Sequence, residues 1–250
     1  MLEQIKAEIR SDLEELTALD GVSGHEEAVI RAMRDRLAPL SDALRVDCFG
    51  NVHATTGGSE GGYHLLLAAH SDEIGLMVKS IDPQGYLRFS IVAGVPRALL
   101  PGRMVRINGS VRGVIGVKSG HLLRPEERER VPHPDDLYID IGASSAEEVA
   151  ELGVQIGDPV AFISPLVELG RPDILAGKAI DDRLGCAVLL ATMRRLQQDR
   201  PATKVSCVIT TQEEVGLRGA QVAAYSAAPD CAVAIDTFMA GDTPDVDFHR

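Results

Sequence analysis

Three apolar runs in this 250-residue chain each lead into a side chain that can bind a metal. Leu65-Leu66-Leu67-Ala68-Ala69 ends at His70. Val205 to Thr210 leads through Thr211-Gln212 into the acidic pair Glu213-Glu214, and Ala232-Val233-Ala234-Ile235 ends at Asp236. A second acidic pair, Asp181-Asp182, opens an apolar helical stretch. One imidazole among several carboxylates suits Zn²⁺, Co²⁺ or Mn²⁺ rather than a thiolate-held structural zinc. Acids gathered so closely repel one another without a cation. A carboxylate such as Asp181 can bridge two ions roughly 3.5–4 Å apart, the spacing of hydrolytic metal pairs. Such a pair activates a water and polarises a scissile carbonyl, and an adjacent carboxylate that is not a ligand can take the water's proton. In His70-Ser71-Asp72, residues two apart on an extended segment face the same side. Asp72 can then accept a hydrogen bond from the ring nitrogen of His70 turned away from the metal, which fixes the tautomer.

Each residue alone has a plainer reading. Asp181 and Asp182 suit a helix start, where a cap and the helix dipole both favour acids. Glu213-Glu214 can be a solvated acidic pair, Asp236 a turn initiator, and His70 an ordinary strand-end histidine. Arrival as a set argues for a site, because open α/β sheets bind ligands at the carboxyl ends of their strands.

The elements that must deliver these residues are legible around them. Leu2, Ile5, Ile9, Leu13 and Leu16 recur at helical spacing and predict a first helix over Met1–Leu19. Ser23-Gly24-His25-Glu26 matches a capping box, opening a second helix that runs to about Leu37 before Pro39. Between Lys79 and Val167 the texture changes to short β-type runs: Leu87–Val92, Met104–Ile107, Val111–Val117, Leu137–Ile141 and Pro159–Ile163. Gly, Pro and Asn turns separate them, as in a small barrel or sandwich. A helix near Ser145–Leu152 and a charged, exposed loop over Arg124–Asp136 interrupt this piece. The expected fold class is α/β: a mixed, mostly parallel sheet flanked by helices, as in zinc peptidases, with an inserted small β-barrel or sandwich. Residues 1–78 and 168–250 form the sheet domain and 79–167 the insertion.

Four ordered strings now carry a resemblance: Ala69-His70-Ser71-Asp72-Glu73-Ile74-Gly75, Gly177-Lys178-Ala179-Ile180-Asp181-Asp182-Arg183, Thr211-Gln212-Glu213-Glu214-Val215-Gly216 and Ile235-Asp236-Thr237. Together they resemble the M42 metallopeptidases, the glutamyl-aminopeptidase and TET-aminopeptidase family, from Ser23-Gly24 to about Pro244. The resemblance implies two divalent metal ions per subunit, zinc or cobalt first and manganese next. His70 and Asp236 would bind one ion, Asp181 would bridge, Glu214 would bind the other, and Glu213 would be the general base. It also implies an inserted β domain used for dimerisation, assembly into dimers and often hollow dodecamers, and removal of residues from peptide amino ends. The family's fifth ligand is a histidine well beyond the Asp236 motif, whereas only fourteen residues follow Asp236 here. His249 is within reach, since that stretch can extend on the order of 40 Å, but no strand or helix pattern holds it. The chain thus reads as lacking a carboxy-terminal segment.

Composition narrows the partners. The formal net charge of −12 argues against a nucleic-acid or anionic-membrane surface. Charges break the first amphipathic segment, so it does not read as a secretory signal, and no run reaches the length of a membrane span. Cys48, Cys186, Cys207 and Cys231 form no CxxC pair; the last three sit inside apolar runs, and they read as buried free thiols of a reducing cytoplasm. The leading expectation is a cytoplasmic, metal-dependent aminopeptidase acting on peptides as a homo-oligomer. The rivals are a related amidohydrolase, such as a carboxypeptidase or deacylase with a similar metal cluster, and a truncated, catalytically impaired assembly subunit.

Overall fold

The computed structural model describes residues 1–58, 61–122, 130–244 and 246. Its central sheet has the order β1-β2-β12-β3-β13, with β1 at Ala43–Val46, β2 at Val52–Thr56, β3 at His64–His70, β12 at Lys204–Thr210 and β13 at Cys231–Ala234. The strand β12 pairs parallel to β3 from Lys204↔His64 to Thr210↔His70, and β13 pairs parallel to β3 on its other side. The pairings β1/β2 and β2/β12 are antiparallel. The sheet is therefore mixed with its pairings evenly split, rather than mostly parallel as expected. The Asp47–Asn51 turn accounts for the β1/β2 pair, because its short connection folds β2 straight back onto β1.

Alternation along the strands sorts side chains to two faces. Ala69, Cys207 and Ile209 face a core built with α1 (Leu2–Ala18), α2 (Glu27–Leu37) and α4 (Ile180–Gln198). Leu66 and Val208 face the other way, onto Ala223 of α5 (Arg218–Ala227). The first core is fully buried at Leu16, Val29, Met33, Leu37, Leu189 and Leu190. Burial of this kind contributes roughly 1.5–3 kcal/mol per large side chain. The strands that end in His70 and in the approach to Glu213 are thus held from behind, whereas β13 is an exposed edge strand and only Ile235 after it packs against the first core.

Six strands close a separate barrel in the order β4-β5-β8-β7-β6-β9. They are β4 Gly75–Ile81, β5 Leu87–Val92, β6 Met104–Ile107, β7 Val111–Val117, β8 Leu137–Asp140 and β9 Pro159–Phe162; the short antiparallel pair β10 Val167–Glu168 and β11 Leu175–Ala176 follows. Their interior, with Val149 of the short helix α3 (Ala146–Glu151), forms a second core. The sequence pattern alone gave no strand over Gly75–Ile81, yet β4 starts only five residues after His70. Gly75 is where barrel and sheet press together: a Cβ there would lie 2.5 Å from Val22 and 3.0 Å from the Val160 carbonyl oxygen. Ser145 caps α3 by accepting the Glu148 N–H. Residues 124–129 of the loop expected over Arg124–Asp136 lie outside the described residues, and its end forms a 3-10 turn at Pro134–Asp136.

The capping box expected at Ser23–Glu26 does not form. Helix α2 starts at Glu27 without a side-chain cap, because both polar side chains have other partners close to the strand ends.

Candidate metal centre

His70 ends β3, and its imidazole is 4% exposed while Nε2 faces outward to a ring of acids. Asp181 Oδ1 lies 2.9 Å from Nε2. Asp236 Oδ1 and Glu213 Oε2 each lie 3.9 Å from it. One ligand atom from each of His70, Asp181 and Asp236 can be chosen so that all three lie within 4.8 Å of one another. The parallel register produces this: Thr210 is level with His70, so the residues after β12 emerge beside it. The Ile235 N–H donates to the Ala68 carbonyl at 2.8 Å, which carries Asp236 along the other flank.

Asp182 divides the labour at the mouth of α4. Asp181 and Asp182 have non-helical backbone angles, so the regular helix begins after them. The Asp182 carboxylate accepts the Gly185 N–H at 3.0 Å, which is N-cap geometry, and the His70 N–H at 3.2 Å. Gly185 is required there, since a Cβ would fall 2.4 Å from that carboxylate. Capping is thereby assigned to the second acid, and the first is left facing the imidazole with its side chain 55% exposed.

Asp72 is wholly buried. Its carboxylate accepts the Glu213 N–H at 2.9 Å, the Glu214 N–H at 3.1 Å and the Ser23 hydroxyl. Its Oδ1 lies 3.4 Å from His70 Nδ1, close but short of full hydrogen-bond geometry. Asp72 therefore ties the imidazole to the backbone that carries both glutamates. Glu26 supports the same loop by accepting the Gln212 N–H at 3.0 Å, where Gln212 has a left-handed φ of 53°. Asn51 accepts the Thr211 N–H at 3.0 Å. Arg183, fully buried, donates from Nε to the Ser71 carbonyl at 2.8 Å and from Nη1 to Leu16 at 2.6 Å. Sequence reasoning missed Ser23, Glu26, Asn51 and Arg183 as supports of the site; for Asp182 it offered the capping role. The Ser23 and Glu26 spacing imitates a helix cap, and the site partners of these four lie far away in the chain.

Glu214 stands apart from the three-residue group. It lines, with Asp181, Ile74, Gly94 and Gly177, an open cavity of about 410 Å³. His249 lies outside the described residues.

The electrostatics follow from this crowding. Burial works to lower the His70 pKa, but the hydrogen bond that Asp181 accepts, the close approach of Asp72 and the charges of Asp72 and Asp182 raise it to about 11. Burial, then the Asp181 charge, pushes Glu214 up to about 7. Burial also raises Glu213, with Asp236 adding and His70 opposing. Asp181 is lowered, first by its hydrogen bond to His70. A site that holds one imidazole as a cation and lifts nearby carboxyls toward neutrality is short of positive charge. The donor set, one nitrogen among carboxylate oxygens, fits a divalent cation of the zinc, cobalt or manganese type.

Comparisons with known proteins follow this geometry. The family model described as M42 glutamyl aminopeptidase matches residues 50–250. A TET aminopeptidase structure from a marine-sediment thaumarchaeal archaeon is 36% identical with a TM-score of 0.92, over 98% of this chain and 69% of that one. The TET1 peptidase of Pyrococcus horikoshii, described as assembling into a tetrahedron or a large octahedral shell, is 36% identical with a TM-score of 0.85, over 96% and 72%. Lysyl aminopeptidase of Pyrococcus furiosus is 35% identical over 88% of this chain and 64% of its own length. The chain spans about two thirds of the length of the curated relatives it matches.

Proposed function

This chain belongs to the M42 glutamyl aminopeptidase family, and from that premise we propose that it carries the catalytic metal centre of an aminopeptidase that removes residues from the amino ends of peptides. The observation that carries the reading is the meeting of His70, Asp181 and Asp236 within 4.8 Å, with Glu213 beside them. His70 and Asp236 would hold one divalent ion, Asp181 would bridge to a second, and Glu214 would complete the second position. When bound, the two ions, zinc or cobalt before manganese, supply a water of lowered pKa and a polarised carbonyl.

The rest is done by the chain. Glu213 takes the attacking water's proton and returns it to the leaving amine; its raised pKa brings it closer to neutral operating pH. Asp72 orients the imidazole and, through the Glu213 and Glu214 N–H groups, sets where both glutamates leave the backbone. The acidic ring attracts the free ammonium of the peptide.

The insertion expected over residues 79–167, taken together with the start of β4 at Gly75, is read as the barrel unit through which copies of the chain dimerise. The resemblance to a shell-forming TET peptidase supports larger homo-oligomers. Four free cysteines fit a reducing cytoplasm. Among the described residues no helix is long and apolar enough to cross a membrane.

Matched peptides with free and acetylated amino ends test the activity. The free amine is expected to be cleaved and the acetylated peptide spared; equal cleavage of both transfers the site to the deacylase and carboxypeptidase class. Metal analysis on the same preparation should return about two equivalents per chain.

A further inference from the structure

We propose that the cavity between the barrel and the sheet is a receptor for short peptides, taking an apolar side chain in its walls and the peptide's carboxy-terminal carboxylate on Arg103. The proposal deepens the aminopeptidase reading and rests on it for which end of the peptide meets the acidic ring. The cavity encloses about 410 Å³, and Val95, Leu99, Leu100 and Phe162 give it apolar walls. It shares Glu73, Ile74, Gly177 and Ala179 with the equally large cavity that holds Asp181 and Glu214. The two cavities thus have a common wall, and a chain lying across that wall occupies both.

The charges along this path differ in availability. Lys178 also lines the cavity, but its ammonium donates to Glu73 at 2.7 Å and to the Leu19 carbonyl at 2.8 Å, and lies 3.2 Å from Asp20. Its three protons are committed, so the floor presents no open cation. Arg103 is exposed at the cavity's edge, and its Nε donates to the Leu99 carbonyl at 3.2 Å. No carboxylate pairs with it among the described residues. In a chain of net charge −12 that is a cation left for something else. The guanidinium fork suits a carboxylate, which it binds through two parallel hydrogen bonds. Acidic groups line one cavity, and apolar walls with a cation line the one that adjoins it. A zwitterionic short peptide with a bulky apolar residue has the complementary features.

Binding to the metal-free protein, read by calorimetry or ligand-observed NMR at low salt, tests the proposal. The probes are trileucine, trileucine amide, trialanine and Leu-Leu-Glu amide. Trileucine should bind about tenfold tighter than its amide, as a charge-assisted contact at an exposed arginine allows, and tighter than trialanine. Arg103→Gln should erase the preference for the free acid, and Arg103→Lys should keep part of it; Arg103 is exposed, so both variants should fold. Equal binding of acid and amide, or a preference that survives Arg103→Gln, overturns the receptor. Equal binding of trileucine and trialanine overturns the apolar part. Tighter binding of Leu-Leu-Glu amide than of trileucine also overturns it, since Arg103 then reads a side chain. Failure of the metal-loaded protein to hydrolyse any peptide defeats the aminopeptidase reading instead and leaves these binding results standing.

Discussion

The inner and outer halves of the candidate centre are built on opposite principles. The inner half is dry and its carboxylates are partnered, with only His70 Nδ1 and Arg183 Nη2 among the described residues left short of a hydrogen bond: Asp72 is wholly buried with three donors on it, and Asp182 caps a helix while holding the His70 backbone. The outer half is wet: Asp181 and Asp236 have side chains 55% and 49% exposed. Buried groups with satisfied hydrogen bonds keep their geometry without a ligand. Exposed carboxylates that face one another gain a shared purpose only when a cation arrives. The comparison teaches that this chain pre-forms the support and leaves the grip to the metal.

Glu213 joins the two halves, its backbone tied to Asp72 and its carboxylate facing the ring, so it gives the largest expected effect. Glu213→Gln in an active, metal-loaded form should keep its metal and lose roughly 10²–10⁴-fold in kcat. Near-normal turnover breaks the assignment of the base. Next in size is the metal itself. Zinc or manganese at about one hundred times its Kd should raise the stability of the chelated protein by about 2.7 kcal/mol, seen as a higher Tm. Asp181→Ala should remove most of that gain. A Tm indifferent to metal in the unaltered chain erases the distinction between the halves.

The third contrast sets Asp72→Ala against Asp181→Ala, both metal-free. Loss of Asp72 strands two N–H groups and a hydroxyl, which costs about 2 kcal/mol, and should also weaken metal binding roughly 10–100-fold. Loss of Asp181 removes a half-exposed acid from a crowd of acids and should change metal-free stability by less than about 0.5 kcal/mol. Urea midpoints decide it, and equal losses would mean that both halves are structural.

The same division explains what the sequence disclosed. The strands ending at His70, Thr210 and Ala234 are short apolar runs that lead into histidine or acids, a local pattern that survives without knowledge of the fold. The barrel strands Leu87–Val92, Met104–Ile107 and Val111–Val117 are equally local, and the structure has them at those limits. What stayed hidden is long-range. Ser23 and Glu26 have the spacing of a helix cap, and only the approach of Asp72 and Gln212, 49 and 186 residues away, diverts them. The antiparallel β2/β12 pairing depends on which strand inserts beside which, and apolar runs carry no such address. Strand β4 escaped notice because it begins almost where the His70 motif ends, at a glycine whose purpose is to fit against Val22.

The smallest expected effect tests whether the inner half is electrically quiet as well as rigid. Asp72 is held low by His70, Ser23 and the Glu213 N–H against the opposing influence of its burial, so it stays ionised opposite a protonated imidazole. Asp182 differs: burial, with the Asp236 charge adding, raises it to about 7. A carboxyl that binds its proton more tightly in the fold than in the open chain favours the folded state below its open-chain pKa. That contribution is lost as the pH climbs through the folded value. For Asp182 the window runs from 3.8 to about 7. Asn at this position is an equally good cap but does not titrate. In chelated protein, the stability of the unaltered chain relative to Asp182→Asn should therefore fall between pH 4 and 7, by on the order of 1 kcal/mol once residual solvation is allowed for. Urea midpoints at pH 4.5 and 7 measure the difference. Parallel behaviour of the two proteins would mean that Asp182 is ionised throughout, and the buried half would then carry a net repulsion that only the metal can relieve.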